Sequence, residues 1–179
     1  FLRVLPLPAG ALVTDQRWMT LSVEARDVST GRYSPAGAIE QFGLAPLSRA
    51  MIGYAAGWNE QELNTVTGRA WRWSSGRADL QVVSAGGDVT VQIDGESPLK
   101  TFGRPSHVTV RCGTRVLFDD QVSADFGWRL RVSGADLAAA SGVVTVTTDQ
   151  TFRPFDRGEN ADHRTLGLRV YTVSVTPAS

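Results

Sequence analysis

Apolar and polar side chains alternate along most of the second half of the chain and along one stretch of the first. In MTLSVEAR, Met19, Leu21, Val23 and Ala25 fall on one side and Thr20, Ser22, Glu24 and Arg26 on the other. A period of two belongs to an extended strand with one buried and one wet face. The same pattern predicts strands over RADLQVV (burying Ala78, Leu80 and Val82), DVTVQID (Val89, Val91, Ile93), HVTVRC (Val108, Val110, Cys112) and FGWRLRV (Phe126, Trp128, Leu130, Val132). VVTVTT, rich in β-branched residues, predicts another. The last strand, LGLRVYTVSV, starts with Leu166, Leu168 and Val170 inward and resumes with Tyr171, Val173 and Val175, so its phase slips between Val170 and Tyr171. A β-bulge there lets both halves bury their apolar residues.

Turn chemistry separates these runs. AGGD precedes Val89, DGES follows Ile93, and CGTR predicts a tight hairpin within VTVRCGTRVLF. SGADLAAASG (Ser133 to Gly142) is the best helix candidate, one or two turns long, and RDVSTGRYSPAGAIEQFGLAP is irregular. Eight or nine short strands with polar turns and almost no helix predict an all-β chain, an antiparallel β-sandwich of jelly-roll-like form. The 179 residues are read as a single domain, 1–179.

Composition narrows the chemistry. Lysine plus arginine equals aspartate plus glutamate at 18 each, which leaves no strong field for nucleic acid. The lone cysteine, Cys112, excludes an internal disulfide and a cysteine-based metal cluster, and it fits a small buried strand residue. No apolar run approaches the ~20 residues of a membrane-spanning helix. The chain opens on FLRVLPLPAG without methionine or leader, so the expectation is a piece of a larger protein whose remainder carries the membrane spans or a catalytic domain.

The sequence bears on four kinds of site. Hydrolysis by paired carboxylates would draw on Glu60 and Glu62, or on Asp156, Glu159 and Asp162, but nothing in the spacing fixes the separation such chemistry needs. A serine triad lacks its elbow, since WSSGR lies between strands, and His107 and His163 read as a surface residue and a hydrogen-bonded loop residue. No cofactor motif is present, and loop oxygens such as those of DRGENAD leave room only for a structural calcium ion. Sugar sites set an aromatic face against C–H groups and fix hydroxyls with polar side chains. GWNEQELNTVTGRAWRWSSGRADLQV (Gly57 to Val82) supplies both. Trp71 and Trp73 share one strand face and Arg72 takes the other, with Trp73 expected in the core and Arg72 outward. Trp58, in a loop beside Gly57, is the better candidate for a ligand contact, with Tyr54 secondary.

Two blocks stand out: Gly57, Trp58, Glu60 or Glu62, Trp71, Arg72 and Trp73 in the first, and Phe152, Pro154, Asp162, Arg164, Leu166 and Gly167 in the second. Together they resemble accessory β-sandwich domains at the extracytoplasmic, C-terminal end of bacterial multi-spanning membrane glycosyltransferases. The resemblance covers about half of the chain. It implies a non-catalytic module similar to carbohydrate-binding domains, held on the outer, periplasmic face of a membrane by its parent protein. Its partner would be a glycan or lipid-linked sugar acceptor, with Trp58, Glu60, Glu62, Trp71 and Arg72 as candidate contacts. The same residues also fit a structural role. A Glu62–Arg164 or Asp162–Arg72 pair would clamp two loops, with Trp73 in the packing beside them. Three readings therefore stand at this point: a glycan-binding module, a structural or protein-interaction sandwich, and a small hydrolase.

Overall fold

A computed structural model describes residues 48–178, together with Val4, Ala25, Arg26, residues 29–34 and Pro46. The strand expected from Met19 is seen only at Ala25 and Arg26. Its remainder and most of the irregular stretch up to Pro46 lie outside the described residues. The chain forms two compact units. In the smaller, β1 (Ala25–Arg26) pairs antiparallel with β2 (Tyr33–Ser34).

The larger unit holds β3 (Met51–Tyr54), β4 (Glu62–Leu63), β5 (Ala70–Trp73), β6 (Arg77–Val83), β7 (Val89–Glu96), β8 (Ser106–Cys112), β9 (Arg115–Val122), β10 (Asp125–Val132), β11 (Val143–Thr148) and β12 (Arg169–Pro177). Helix α1 (Leu99–Phe102) joins β7 to β8, and α2 (Gly134–Ala139) joins β10 to β11. The strands make two five-stranded antiparallel sheets, ordered β10-β7-β12-β5-β4 and β3-β6-β11-β8-β9. From β6 to β12 each strand lies in the opposite sheet from its predecessor, except β9, which forms a hairpin with β8. The architecture is an antiparallel β-sandwich.

Alternation dictates the core. Leu80 and Val82 of β6 meet Val89, Val91 and Ile93 of β7, with Val108, Val110, Val144, Val146, Leu168 and Val170 filling the space between the sheets, and Ala78 of β6 is fully buried as well. Each fully buried Leu, Ile or Val contributes about 1.5–3 kcal/mol from apolar area removed from water. The helix expected over Ser133 to Gly142 is α2, capped by the Ser133 hydroxyl, which accepts the Asp136 amide at 3.0 Å.

Two elements depart from the alternation as read in sequence. Ala70 to Val82 divides into β5 and β6, which lie in different sheets, with Ser74, Ser75 and Gly76 making the crossing. The face assigned from β6 therefore does not carry back to β5. Arg72 pairs with the core residue Val170, so it shares the inward face and is 7% exposed rather than outward. Trp73 pairs with Arg169 on the outward face and is nevertheless 5% exposed. The link from β11 to β12 covers it, with Phe152 edge-on at 5.7 Å.

The bulge in β12 is present. Val170 pairs with Gly95 and Thr172 with Asp94, which leaves Tyr171 as the extra residue. Val173 and Val175 pack against the core, as the pattern requires. Tyr171, expected inward with them, instead lines the outside of the sheet beside Trp71 and Arg169. An unpaired bulge residue is free of the strict alternation, and this one is re-aimed outward.

Candidate functional site

The two sequence blocks meet at the β5–β6 crossing. Gly57 approaches Arg77 so closely that a Cβ there would stand 2.0 Å from the Arg77 carbonyl oxygen, and its φ of +80° favours glycine for a second reason. Its carbonyl accepts the Ser75 amide at 2.7 Å. From the other block, Gly167 donates to the Ser74 carbonyl at 2.7 Å, and the Leu168 amide donates to the Ser74 hydroxyl at 2.9 Å. A side chain at Gly167 would meet the Ser75 carbonyl oxygen at 2.9 Å.

Four of the five candidate sugar contacts divide between two sides of the sheet. Trp58 and Arg72 belong to an inner cluster with Tyr54. The Trp58 indole donates to the Asp79 carbonyl at 2.8 Å and stands edge-on to Tyr54, with ring centroids 5.1 Å apart. Arg72 donates to the Asn59 carbonyl at 2.9 Å and lies 4.7 Å over the Tyr54 ring. Burial raises the Tyr54 phenol above its ordinary pKa and lowers the Arg72 guanidinium. Glu60 is exposed. Glu62 and Trp71, opposite one another on β4 and β5, face outward, and the Trp71 indole donates to Glu62 Oε2 at 3.0 Å.

Glu62 also ties the outer side of the sheet to the β11–β12 link. Its Oε1 accepts from Arg164 Nη2 at 2.8 Å. Arg164 grips Asp162 as well, through Nε at 3.0 Å to both carboxylate oxygens and through Nη2 at 2.6 Å. This guanidinium holds the Asp162 carboxyl down to about 2, with the Arg164 amide adding a further hydrogen bond. Of the two clamp pairings open in the sequence, Glu62–Arg164 is present, and the described partner of Asp162 is Arg164.

Beside this clamp lies an open groove of about 670 Å³, lined by Asn64, Thr67, Gly68, Arg69, Trp71, Arg169 and Tyr171. Its walls are the β4–β5 hairpin and the bulged strand β12. The hairpin is braced by Asn64, whose side-chain oxygen accepts the amides of Val66 and Thr67 at 2.9 and 3.0 Å. Arg169 is held by Glu96 at 2.7 Å and lies 5.1 Å from the Trp71 ring and 4.6 Å from the Trp73 ring. Arg69 stacks 3.5 Å over Tyr171. Burial and the neighbouring Glu96 raise the Tyr171 phenol, so it stays protonated at neutral pH. Of the groove's lining, sequence reasoning singled out Trp71 alone. The bulge is the signal in the sequence for Tyr171, although the phase slip alone points only to packing.

The remaining candidates are engaged elsewhere. His107 pairs with Asp119 at 2.7 Å on the surface, and the His163 ring lies 4.0 Å from Phe155. Glu159 is bound by Arg157 at 2.9 Å, and Asp156 lies 3.9 Å from Arg153. Among the described residues no group of three or more His, Cys, Asp or Glu side chains is placed to hold a metal ion. Among them, too, no helix is long and apolar enough to cross a membrane. No family model, curated protein or solved structure matches the chain.

Proposed function

We propose that this sandwich is a non-catalytic carbohydrate-binding module, the accessory domain of a bacterial cell-envelope glycosyltransferase, with its ligand in the groove over Trp71 and Tyr171. One observation carries the binding part: two aromatic rings, an amide, two hydroxyls and two guanidinium groups line a single depression on a sheet face. With Arg69 lying over Tyr171, the Trp71 ring supplies the surface for sugar C–H groups, and the polar groups fix hydroxyls. Glu62 and Glu96, the acids beside the groove, are each engaged by an arginine, which supports binding over hydrolysis. The alternation of β5 to β12 between the sheets supports a jelly-roll reading of the fold.

The ligand on this reading is a glycan or a lipid-linked sugar acceptor, presented at the extracytoplasmic face where the rest of the parent protein spans the membrane. The resemblance of the two sequence blocks supports that setting. Asp162, Arg164 and Trp73 hold the β11–β12 link in place, and a structural role accounts for their contacts.

The test is a titration with a panel of envelope oligosaccharides, observed through the Trp71 indole N–H by NMR and through tryptophan fluorescence. A saturable shift of the Trp71 signal is expected, lost in Trp71→Ala. No shift with any sugar overturns the proposal, and so does binding that survives Trp71→Ala unchanged.

A further inference from the structure

Glu62 and Glu96 stand beside the groove, each held by an arginine, but neither is part of its lining. That lining includes two arginines and no carboxylate. The two arginines differ in what they have left to offer. Arg169 is committed to Glu96 at 2.7 Å and is set between Trp71 and Trp73. Arg69 enters no ion pair among the described residues, and its guanidinium rests 3.5 Å above Tyr171.

That stacking matters for recognition. A guanidinium lying on a ring keeps its N–H groups at its edge, where they form the planar fork that matches two oxygens of a carboxylate or phosphate. Its backbone is fixed too. The Asn64 amide donates to the Arg69 carbonyl at 2.9 Å, and the Gly68 amide donates to the Asn64 carbonyl at 2.8 Å, so Arg69 leaves a closed hairpin. A side chain held in place before binding loses little freedom when a ligand arrives.

Resting on the carbohydrate reading above, we infer that the groove selects an acidic sugar, one bearing a carboxylate or phosphate, and that Arg69 is its anion contact. The sugar ring lies against Trp71, and the anion reaches the Arg69 fork at the hairpin end. Chain neutrality argues against a general polyanion surface, since 18 basic residues are balanced by 18 acidic ones.

The experiment compares methyl glucoside, glucuronate, glucose 6-phosphate and inorganic phosphate by titration calorimetry at low and high salt. The parent domain is run alongside Arg69→Gln and Arg69→Lys. A hydrogen bond to a charged group predicts that at least one acidic sugar binds about tenfold or more tightly than methyl glucoside at low salt. Which acidic sugar is preferred identifies the anion as carboxylate or phosphate. The preference should shrink with salt, fall to about one in Arg69→Gln, and return in part in Arg69→Lys, which restores charge without the fork. Unchanged melting temperatures show that both variants fold. Equal affinity for neutral and acidic sugars overturns this inference and leaves the carbohydrate reading standing, as does a preference that survives Arg69→Gln. Inorganic phosphate binding as tightly as the sugar phosphate reduces the site to a simple anion contact and also overturns it. No binding by any sugar overturns both readings together.

Discussion

Arg164 shows how much one side chain in a link can organise. It joins Asp162, two residues away, to Glu62 of β4, whose other oxygen holds the Trp71 indole. The groove wall is thus tied to the β11–β12 link through one guanidinium. Arg164 is more than a third exposed, so solvent screening limits the loss in Arg164→Gln to the order of 1 kcal/mol. The pH dependence is more specific. An unfolded aspartate titrates near 3.9, whereas Arg164 holds Asp162 down to about 2. A folded-state value below the unfolded one adds stability that is complete above about pH 5 and is lost progressively as pH falls through 2 to about 1. The melting temperature of Asp162→Asn should therefore lie below that of the parent above about pH 5, and the gap should narrow steadily below that and close only near pH 1. A gap that is constant across this range would mean that Asp162 is not held by its charge.

The bulge in β12 separates two functions within one strand. Gly95 and Asp94 of β7 are consecutive, and so would Val170 and Thr172 be if Tyr171 were removed. Deleting Tyr171 restores a continuous ladder with Val170, Val173 and Val175 still inward and the 2.9 Å bond from Thr172 to Asp94 retained. The deletion variant should keep its β-sheet circular dichroism and a cooperative melt while losing ligand binding in the groove. Loss of the cooperative melt would show that the bulge serves the sheet rather than the site. The strand also marks how far the sequence could be read. The slip after Val170 was legible because apolar residues on both sides of it kept their period, yet the period says only that a residue is extra, not where it points. Likewise, Trp71 and Trp73 were legible as sharing a face. Which face they share depends on pairing with β12, almost a hundred residues away, because the crossing at Ser74–Gly76 breaks the phase set by β6. The clamp pairing of Glu62 with Arg164 could be named as one of two alternatives, since opposite charges in two blocks admit few partners. Asn64 and Arg69 gave no signal, because a short polar hairpin reads the same with or without a groove beside it.

On the scale of the larger unit, stability rests on one core filled from both sheets. Leu80, Val110 and Val144 face Ile93, Leu130 and Val170 within a single cluster, so neither sheet buries its apolar face without the other. Cys112 reports on that dependence. It ends β8, pairs with Val144 and Arg115, and is buried in the same cluster. Burial pushes its thiol pKa up, and Asp136 adds to the shift, so little of the reactive thiolate is present near pH 8 even before access is considered. A reagent such as Ellman's disulfide then meets Cys112 only when the sandwich opens. Labelling in increasing urea should accelerate with a slope matching the equilibrium m-value from circular dichroism, because both measure exposure of the whole core. The thiol needs no substitution for this measurement, which leaves the packing intact. Labelling that is fast without denaturant and insensitive to urea would mean that β8 and β9 fray locally, and the two sheets would then not unfold as one cooperative unit.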